Sequence, residues 1–273
     1  MGALAQLDRW DVPNVAAAVF DPTGVRDTHG DVGRPLALAS VSKVLAAITC
    51  HVAVEEGSIS LDDPAGPDGV TVRHLLAHAG GLPPDGDREP LGPPERRRIY
   101  SNIGFEILAE HLEAAAGLSY TDYATAALVD TLGLTGTDLA GSPAHAHTST
   151  VTDLCSVLTA VVTHRLLAES TVEAMTSPAF PDLAGVLPGY GRQDPNLWAL
   201  GVEIRGTKQP HWTSPDNSPG TWGHFGQTGT FVWFDPDAGD HGLGLVVLTD
   251  RDFGPWAVDA WPPLATTVLE EHA

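Results

Sequence analysis

The pattern of apolar and polar positions changes character twice along this chain. Asn14 to Phe20, NVAAAVF, is a short apolar run closed by the turn tetrapeptide Asp21-Pro22-Thr23-Gly24, which predicts an opening strand that folds back as a hairpin. From Ser40 the apolar residues recur at helical spacing, at Val44, Leu45, Ile48 and Val52, and the run stops at Gly57, so a buried helix is expected. Thr71 to His78 predicts a short helix with Thr71 as N-cap and Gly80-Gly81 as its stop. A loop rich in Pro and Gly runs to about Pro94. Ile103, Ile107, Leu108, Leu112 and Ala115 define the inward face of a helix from Asn102 to Gly117, and Thr150 with Asp153 caps another carrying Leu154, Val157, Leu158 and Val161. After about Leu197 strand-like runs return in LWALGVEIRG, HFGQTGTFVWFDP and GLGLVVLTDR, and a closing helix is expected after Pro262-Pro263. Strands at both ends of a helical middle predict an α+β architecture, a sheet completed by both chain ends with an inserted helical lobe. The expected division is one two-lobed unit, with a sheet lobe of about residues 1–38 and 190–273 and a helical lobe of about 39–189.

Composition narrows the function classes. At 273 residues and 42% hydrophobic content the chain can bury a full core. Its 35 acidic against 14 basic residues give a formal net charge of -21, which repels phosphate backbones and anionic membrane surfaces and argues against nucleic acid as a partner. Cys50 and Cys155 lie in apolar, helix-like contexts and are expected to be free, buried thiols. No basic leader precedes an apolar run, and Val15 to Phe20 is too short to span a bilayer, so a non-exported, cytoplasmic protein without membrane contact is expected.

The candidate chemistry centres on Ser40 and Lys43, because Lys43 and Lys208 are the only lysines against twelve arginines. Residues three apart share a helix face, so hydroxyl and amine would stand side by side, and Ser40 at the helix start adds a backbone N–H with no intrahelical partner, free for an oxyanion. A serine hydroxyl needs a base to take its proton, and a lysine serves only when burial or a neighbouring cation keeps it neutral. Tyr100, projecting from a loop before the helix at Asn102, is a second proton-transfer candidate whose phenol an adjacent ammonium would lower. His224-Phe225-Gly226 opens a strand whose edge N–H could meet a substrate carbonyl. His74 and His78, four apart, lack the glutamate base and third ligand of a zinc site, so neither metal nor cofactor is expected. His145-Ala146-His147 reads as solvated loop. Arg96-Arg97-Arg98 reads as a solvated face, with a role toward an anionic substrate as its alternative because it abuts Tyr100. Trp222 would line the cleft or simply pack.

Three ordered motifs carry a resemblance: Ser40-Val41-Ser42-Lys43, Tyr100-Ser101-Asn102 and His224-Phe225-Gly226, joined by VTVRHLLAHAGGLP, YSNIGFEILAEHLEAAAGLSYTDY, LGLTGTDL and GHFGQTGTFVWFDP. The chain from about Val15 to Arg251 resembles the serine β-lactamase and penicillin-binding protein superfamily, within it the class C β-lactamase, DD-peptidase and family VIII esterase branch. The resemblance implies a β-lactamase/transpeptidase-like fold, an antiparallel sheet flanked by terminal helices. It also implies a serine hydrolase without cofactor acting through an acyl-enzyme on a small ester or amide, esterase-like or peptidase-like, with weak β-lactamase activity as a further option. Ser40 would be the acylated nucleophile, Lys43 the proton-transfer partner, Tyr100 the general base and later leaving-group acid, Asn102 a polar positioner, and Ser40 and Gln227 N–H the oxyanion hole, beside Phe225 and Gly226. An alternative register would make Gln227-Thr228-Gly229 the third motif. His224 replaces a permanent cation with a group titrating near pH 6.5, and Phe225 replaces a threonine whose hydroxyl would meet a substrate carboxylate. A catalytically weak member serving as a ligand-binding or regulatory protein is the alternative reading.

Overall fold

The computed structural model describes residues 2–273. Its framework is a six-stranded sheet in the order β2-β1-β10-β9-β8-β7, antiparallel at every pairing. These strands are β1 (Val15–Asp21), β2 (Gly24–His29), β7 (Glu203–Ile204), β8 (Trp222–Phe225), β9 (Phe231–Asp235) and β10 (Leu243–Thr249). The β1–β2 hairpin turns where expected: Asp21 Oδ1 accepts both the Thr23 N–H at 2.7 Å and the Thr23 hydroxyl at 2.6 Å, the side-chain-to-backbone bonding that makes Asp a turn residue. Short two-stranded pairs stand apart from the main sheet, β3 (Leu36–Ala37) with β4 (Thr148–Ser149) and β5 (Gly185–Leu187) with β6 (Gly191–Gln193).

Period-two alternation sends the strand side chains into two cores. Ala17, Val19, Leu245, Val247 and Trp233 meet a 3₁₀ helix at Ala3–Arg9 and the C-terminal helix α7 (Pro255–His272). Ala16, Ala18, Phe20, Val246, Leu248 and Phe234 meet the helices drawn from the middle of the chain. Those helices are α1 (Ser42–Glu55), α2 (Val72–Leu76), α3 (Asn102–Ala116), α4 (Tyr120–Ala124), α5 (Val151–Val162) and α6 (Glu169–Thr176). Capping follows the sequence signals. Thr71 and His74 form a capping box on α2, Thr150 accepts from Asp153 N–H on α5, and α3 ends at Gly117 in the left-handed region, φ 69°.

Three local expectations are corrected. Helix α1 begins at Ser42, and Ser40 sits in a 3₁₀ turn, Ala39–Val41, that feeds it. Helix α2 stops at Leu76, and His78 lies beyond it with φ 54°, so His74 and His78 share no helix face. Helix α7 starts at Pro255, before Pro262-Pro263, and runs through both. Each internal proline removes a helical N–H bond, but Trp261, Leu264, Ala265 and Val268 are fully buried against the sheet, and that burial outweighs the missing bonds. Among the described residues, no helix is long and apolar enough to cross a membrane. Cys50 and Cys155 are free and buried.

Candidate active site

The 3₁₀ turn that carries Ser40 is built by contacts distant in sequence. Ala39 adopts φ 44°, a left-handed conformation unusual for a residue with a Cβ, and it turns the chain sharply between β3 and α1. Thr228 and Thr230 hydroxyls donate to the Ala37 and Leu38 carbonyls, both at 3.0 Å, and tie the β8–β9 turn to this segment. Gly226 permits the approach: a Cβ there would stand 2.5 Å from the Leu38 carbonyl oxygen and 3.0 Å from Ala39 Cβ.

Lys43, one turn further, is wholly buried. Its Nζ donates to Asn102 Oδ1 at 2.6 Å and to the Ala144 carbonyl at 2.8 Å, and stands 3.4 Å from Ser40 Oγ. It also lies over the Tyr100 ring, 4.8 Å from the centroid. Burial disfavours its ammonium form and lowers its pKa to about 7, against the pull of the Asp85 and Glu106 charges. Asn102 opens α3, and its Nδ2 donates to Asp85 Oδ1 at 2.7 Å, which turns Oδ1 toward the lysine. Ser101, the middle residue of the second motif, caps α3 by accepting from Gly104 N–H at 3.0 Å, while its hydroxyl donates to the Pro83 carbonyl at 2.6 Å. The Tyr100 loop is thereby pinned at its helical end.

Tyr100 projects from that loop toward His224, its OH 3.5 Å from Nε2. Burial raises the phenol above its ordinary value, the Asp85 charge adds to this, and a hydrogen bond with Ser40 only partly offsets it. The expectation that a neighbouring ammonium lowers Tyr100 toward use as a base is therefore reversed. His224 is corrected as well: burial, then the charge of Lys43, drops it to about 3, so it is neutral across the physiological range. Its Nδ1 lies 2.7 Å from the Phe225 carbonyl, which can only accept, so Nδ1 carries the hydrogen and Nε2 faces Tyr100 as an acceptor.

Ser40, Tyr100, His224, Phe225 and Gln227 line one small cavity of about 50 Å³ together with Leu187, Pro188, Trp198 and Glu203. Asn102 and Gly226 stand behind it, one against Lys43 and the other beneath the Ser40 turn. Phe225 turns its ring into an aromatic group with Tyr190, Phe253, Trp212 and Trp261, at centroid distances of 5.1 to 6.0 Å, and gives the cavity an apolar wall. Gln227-Thr228-Gly229, the alternative third motif, forms the turn after β8, which places His224 rather than Thr228 opposite Tyr100.

Sequence reasoning missed His78, Trp198 and Glu203. His78 accepts the Ser101 N–H on Nδ1 at 3.1 Å and packs its ring 4.6 Å from those of Tyr100 and Trp198. Glu203 is buried, accepts from Lys208, His211 Nε2 and Trp212 Nε1, and stays ionised: burial would raise it, but His211 and Lys208 hold it at about 2. His78 and Trp198 meet Tyr100 from distant segments, whereas the partners of Glu203 lie only five to nine residues further on, in a loop that no periodicity marks. Two further expectations are corrected, for His147 and Arg98, and one left open, for Trp222, is decided. His147 is buried and stacked on Tyr120 rather than solvated. Arg98 is buried too, its guanidinium donating to the carbonyls of Asn196, Ala77, Ala179 and Phe180, because it is the one arginine of its run that points inward. Trp222 packs on Phe234 away from the cavity. His74 bonds Glu95 and its own helix N-terminus.

Known proteins resemble the chain in sequence and in fold. A family model described as Beta-lactamase matches residues 8–269. A crystal structure of a beta-lactamase (Mb2281c) from Mycobacterium bovis superposes with a TM-score of 0.95 at 49% sequence identity, covering 98% of each chain. Unliganded simvastatin synthase (LovD) from Aspergillus terreus shares the fold at 16% identity, with a TM-score of 0.78 over 98% of this chain and 96% of its own. Penicillin-binding protein 4* of Bacillus subtilis is 30% identical over a stretch covering 32% of this chain and 26% of that relative.

Proposed function

The chain belongs to the Beta-lactamase family, whose members and neighbours support a serine-hydrolase type of activity, and from that premise we propose that it hydrolyses a small ester or amide through an acyl-enzyme on Ser40. The observation that supports this most is the state of Lys43. A neutral amine has two N–H bonds and one lone pair. The Asn102 and Ala144 oxygens engage the two hydrogens, and the lone pair is left for the Ser40 hydroxyl. With a pKa of about 7, a large fraction of the protein holds Lys43 in that form at neutral pH.

In the proposed cycle Ser40 Oγ attacks the carbonyl carbon, and its proton passes to Lys43 Nζ. The carbonyl electron pair moves onto oxygen, which the Ser40 and Gln227 N–H groups receive. Collapse of this intermediate breaks the bond to the leaving group, which takes a proton from Tyr100, and the Lys43 ammonium restores that proton. Tyr100, raised by burial, acts as the acid and Lys43 as the base. Water then attacks the acyl carbon and gives its proton to Lys43, which passes it to Ser40 Oγ as the acyl–oxygen bond breaks, so the acid is released with Ser40 and the neutral Lys43 regenerated. His224, neutral, orients the phenol by accepting from it. Phe225 offers no hydroxyl to a substrate carboxylate within the small cavity, which favours an open-chain ester or amide over a lactam that carries its carboxylate there.

The test is initial rates on 4-nitrophenyl acetate and a chromogenic cephalosporin for the parent and Ser40→Ala, with fluorophosphonate labelling of both. Ester turnover and labelling lost together in Ser40→Ala is the expected result. Cephalosporin turnover faster than ester turnover would overturn the substrate preference. A parent protein that neither labels nor turns over either compound would overturn the hydrolase reading in favour of a ligand-binding role.

A further inference from the structure

A second cavity, about 530 Å³ and so far larger than the first, opens beside Tyr100. Tyr100 and Pro188 line both, whereas Ser40 and Gln227 line only the smaller one. Its apolar floor includes Leu91, Ile99 and Val186, of which Leu91 and Val186 are more than half exposed. Its rim carries Arg96, Arg97 and Arg192. Arg192 pairs with Asp194 at 2.9 Å, but Arg96 and Arg97 have no carboxylate within ion-pairing distance among the described residues, in a chain with 35 acidic side chains. Buried Arg98 holds the two segments together: its N–H donates to Ala184 O at 2.9 Å beside β5, and its guanidinium clamps four carbonyls. Adjacent arginines left unpaired on a fixed segment form a local positive field on a protein whose net charge of -21 would otherwise repel an anion.

Resting on the proposed acyl transfer, we propose that this groove binds an anionic leaving group, an alcohol or amine bearing a carboxylate or phosphate, while a short acyl group occupies the small cavity. Sides are assigned by the chemistry. The group that leaves takes its proton from Tyr100, which lines both cavities, so its substituent can extend past Tyr100 and Pro188 into the groove, while the acyl carbon must lie between Ser40 and Gln227, which line only the small cavity. A cavity of about 50 Å³ holds only a few water-sized groups, so the acyl part is short. The planar guanidinium groups suit a bidentate oxyanion, and the apolar floor suits the carbon skeleton that carries it.

The experiment compares 4-acetoxybenzoate with its neutral methyl ester, in the parent and in Arg96→Gln, Arg97→Gln, Arg192→Gln and the triple variant. These side chains are exposed, so the variants should fold. We expect the ratio of kcat/KM for anionic over neutral ester to fall roughly tenfold in the triple variant, the scale of one charge-assisted hydrogen bond. The neutral ester should be hydrolysed as before, the Arg→Lys set should retain part of the ratio, and added salt should compress it. An unchanged ratio in the triple variant overturns the proposal while leaving the acyl-enzyme reading intact. If the parent hydrolyses neither ester, the acyl-enzyme reading falls separately, and calorimetric binding of the same two compounds to the parent decides the groove. Equal affinities would then overturn it, and a preference for the anion lost in the triple variant would sustain it.

Discussion

The assignment of Lys43 as the base makes a quantitative demand on the pH profile. A fall from the ordinary lysine value of 10.5 to about 7 corresponds to roughly 5 kcal/mol against the buried ammonium. The neutral fraction is then roughly a tenth at pH 6 and roughly nine-tenths at pH 8, so Ser40-dependent kcat/KM should climb about tenfold across that interval with unit slope below it. The assay is initial rates on 4-nitrophenyl acetate from pH 5.5 to 9 with the Ser40→Ala rate subtracted, because spontaneous hydrolysis rises with pH. Tyr100→Phe should lower the plateau and leave the limb in place, since the phenol, pushed up by burial, does not titrate there. His224→Gln should also leave it in place, because His224 titrates near 3. Stability carries the same signature. Between pH 7 and 10.5 the unfolded chain keeps the Lys43 proton that the folded chain has lost, so this residue makes stability rise with pH across the window, with its full penalty below about 7. A limb centred near pH 10, or one that shifts with Tyr100→Phe, would refute Lys43 as the base.

Three other outcomes follow from the packing. Gly226→Ala places a Cβ 2.5 Å from the Leu38 carbonyl oxygen and should separate the β8–β9 turn from the Ser40 turn. Activity should drop by about 10² to 10³, the loss of one oxyanion donor, with a destabilisation of only about 1–3 kcal/mol in urea unfolding. Glu203→Gln leaves the Lys208 ammonium buried without a counter-charge and should cost about 3–5 kcal/mol at pH 6, measured by the same unfolding, and less at high pH where Lys208, already lowered by burial, sheds its proton. Cys50 and Cys155, buried and each pushed up to about 12, should react with an aromatic disulfide reagent only after denaturation; prompt native-state labelling would contradict the packing around α1 and α5.

Wherever structure depends on neighbours in sequence, the one-dimensional reading was close to what the fold contains. The Asp21 to Gly24 turn, the Thr150 cap with Asp153, and the Asn102 to Gly117 helix all rest on bonds spanning a few residues. The Ser40 and Lys43 spacing survives the shift of the helix start to Ser42, since a 3₁₀ turn running into an α-helix still brings residues three apart together. The α7 boundary failed because a local penalty at Pro262 and Pro263 was outweighed by burial of Trp261 and Leu264 against a sheet over a hundred residues away in part.

Alone, then, the sequence determined the order of elements, an α+β fold, and which side chains are candidates for a nucleophile and its proton-transfer partners. Tertiary structure decided their electrical state. Arg98 and Arg97 are adjacent and identical in type, yet one is buried against four carbonyls and the other faces a groove. His224 and Tyr100 meet across 124 positions, and Lys43 reaches Ala144 across 101. A pKa is set by how much water is excluded and which charges remain close, sums over neighbours brought in from the whole chain. Residue identity supplies the titratable group, and the enclosing fold sets the pH at which it holds its proton.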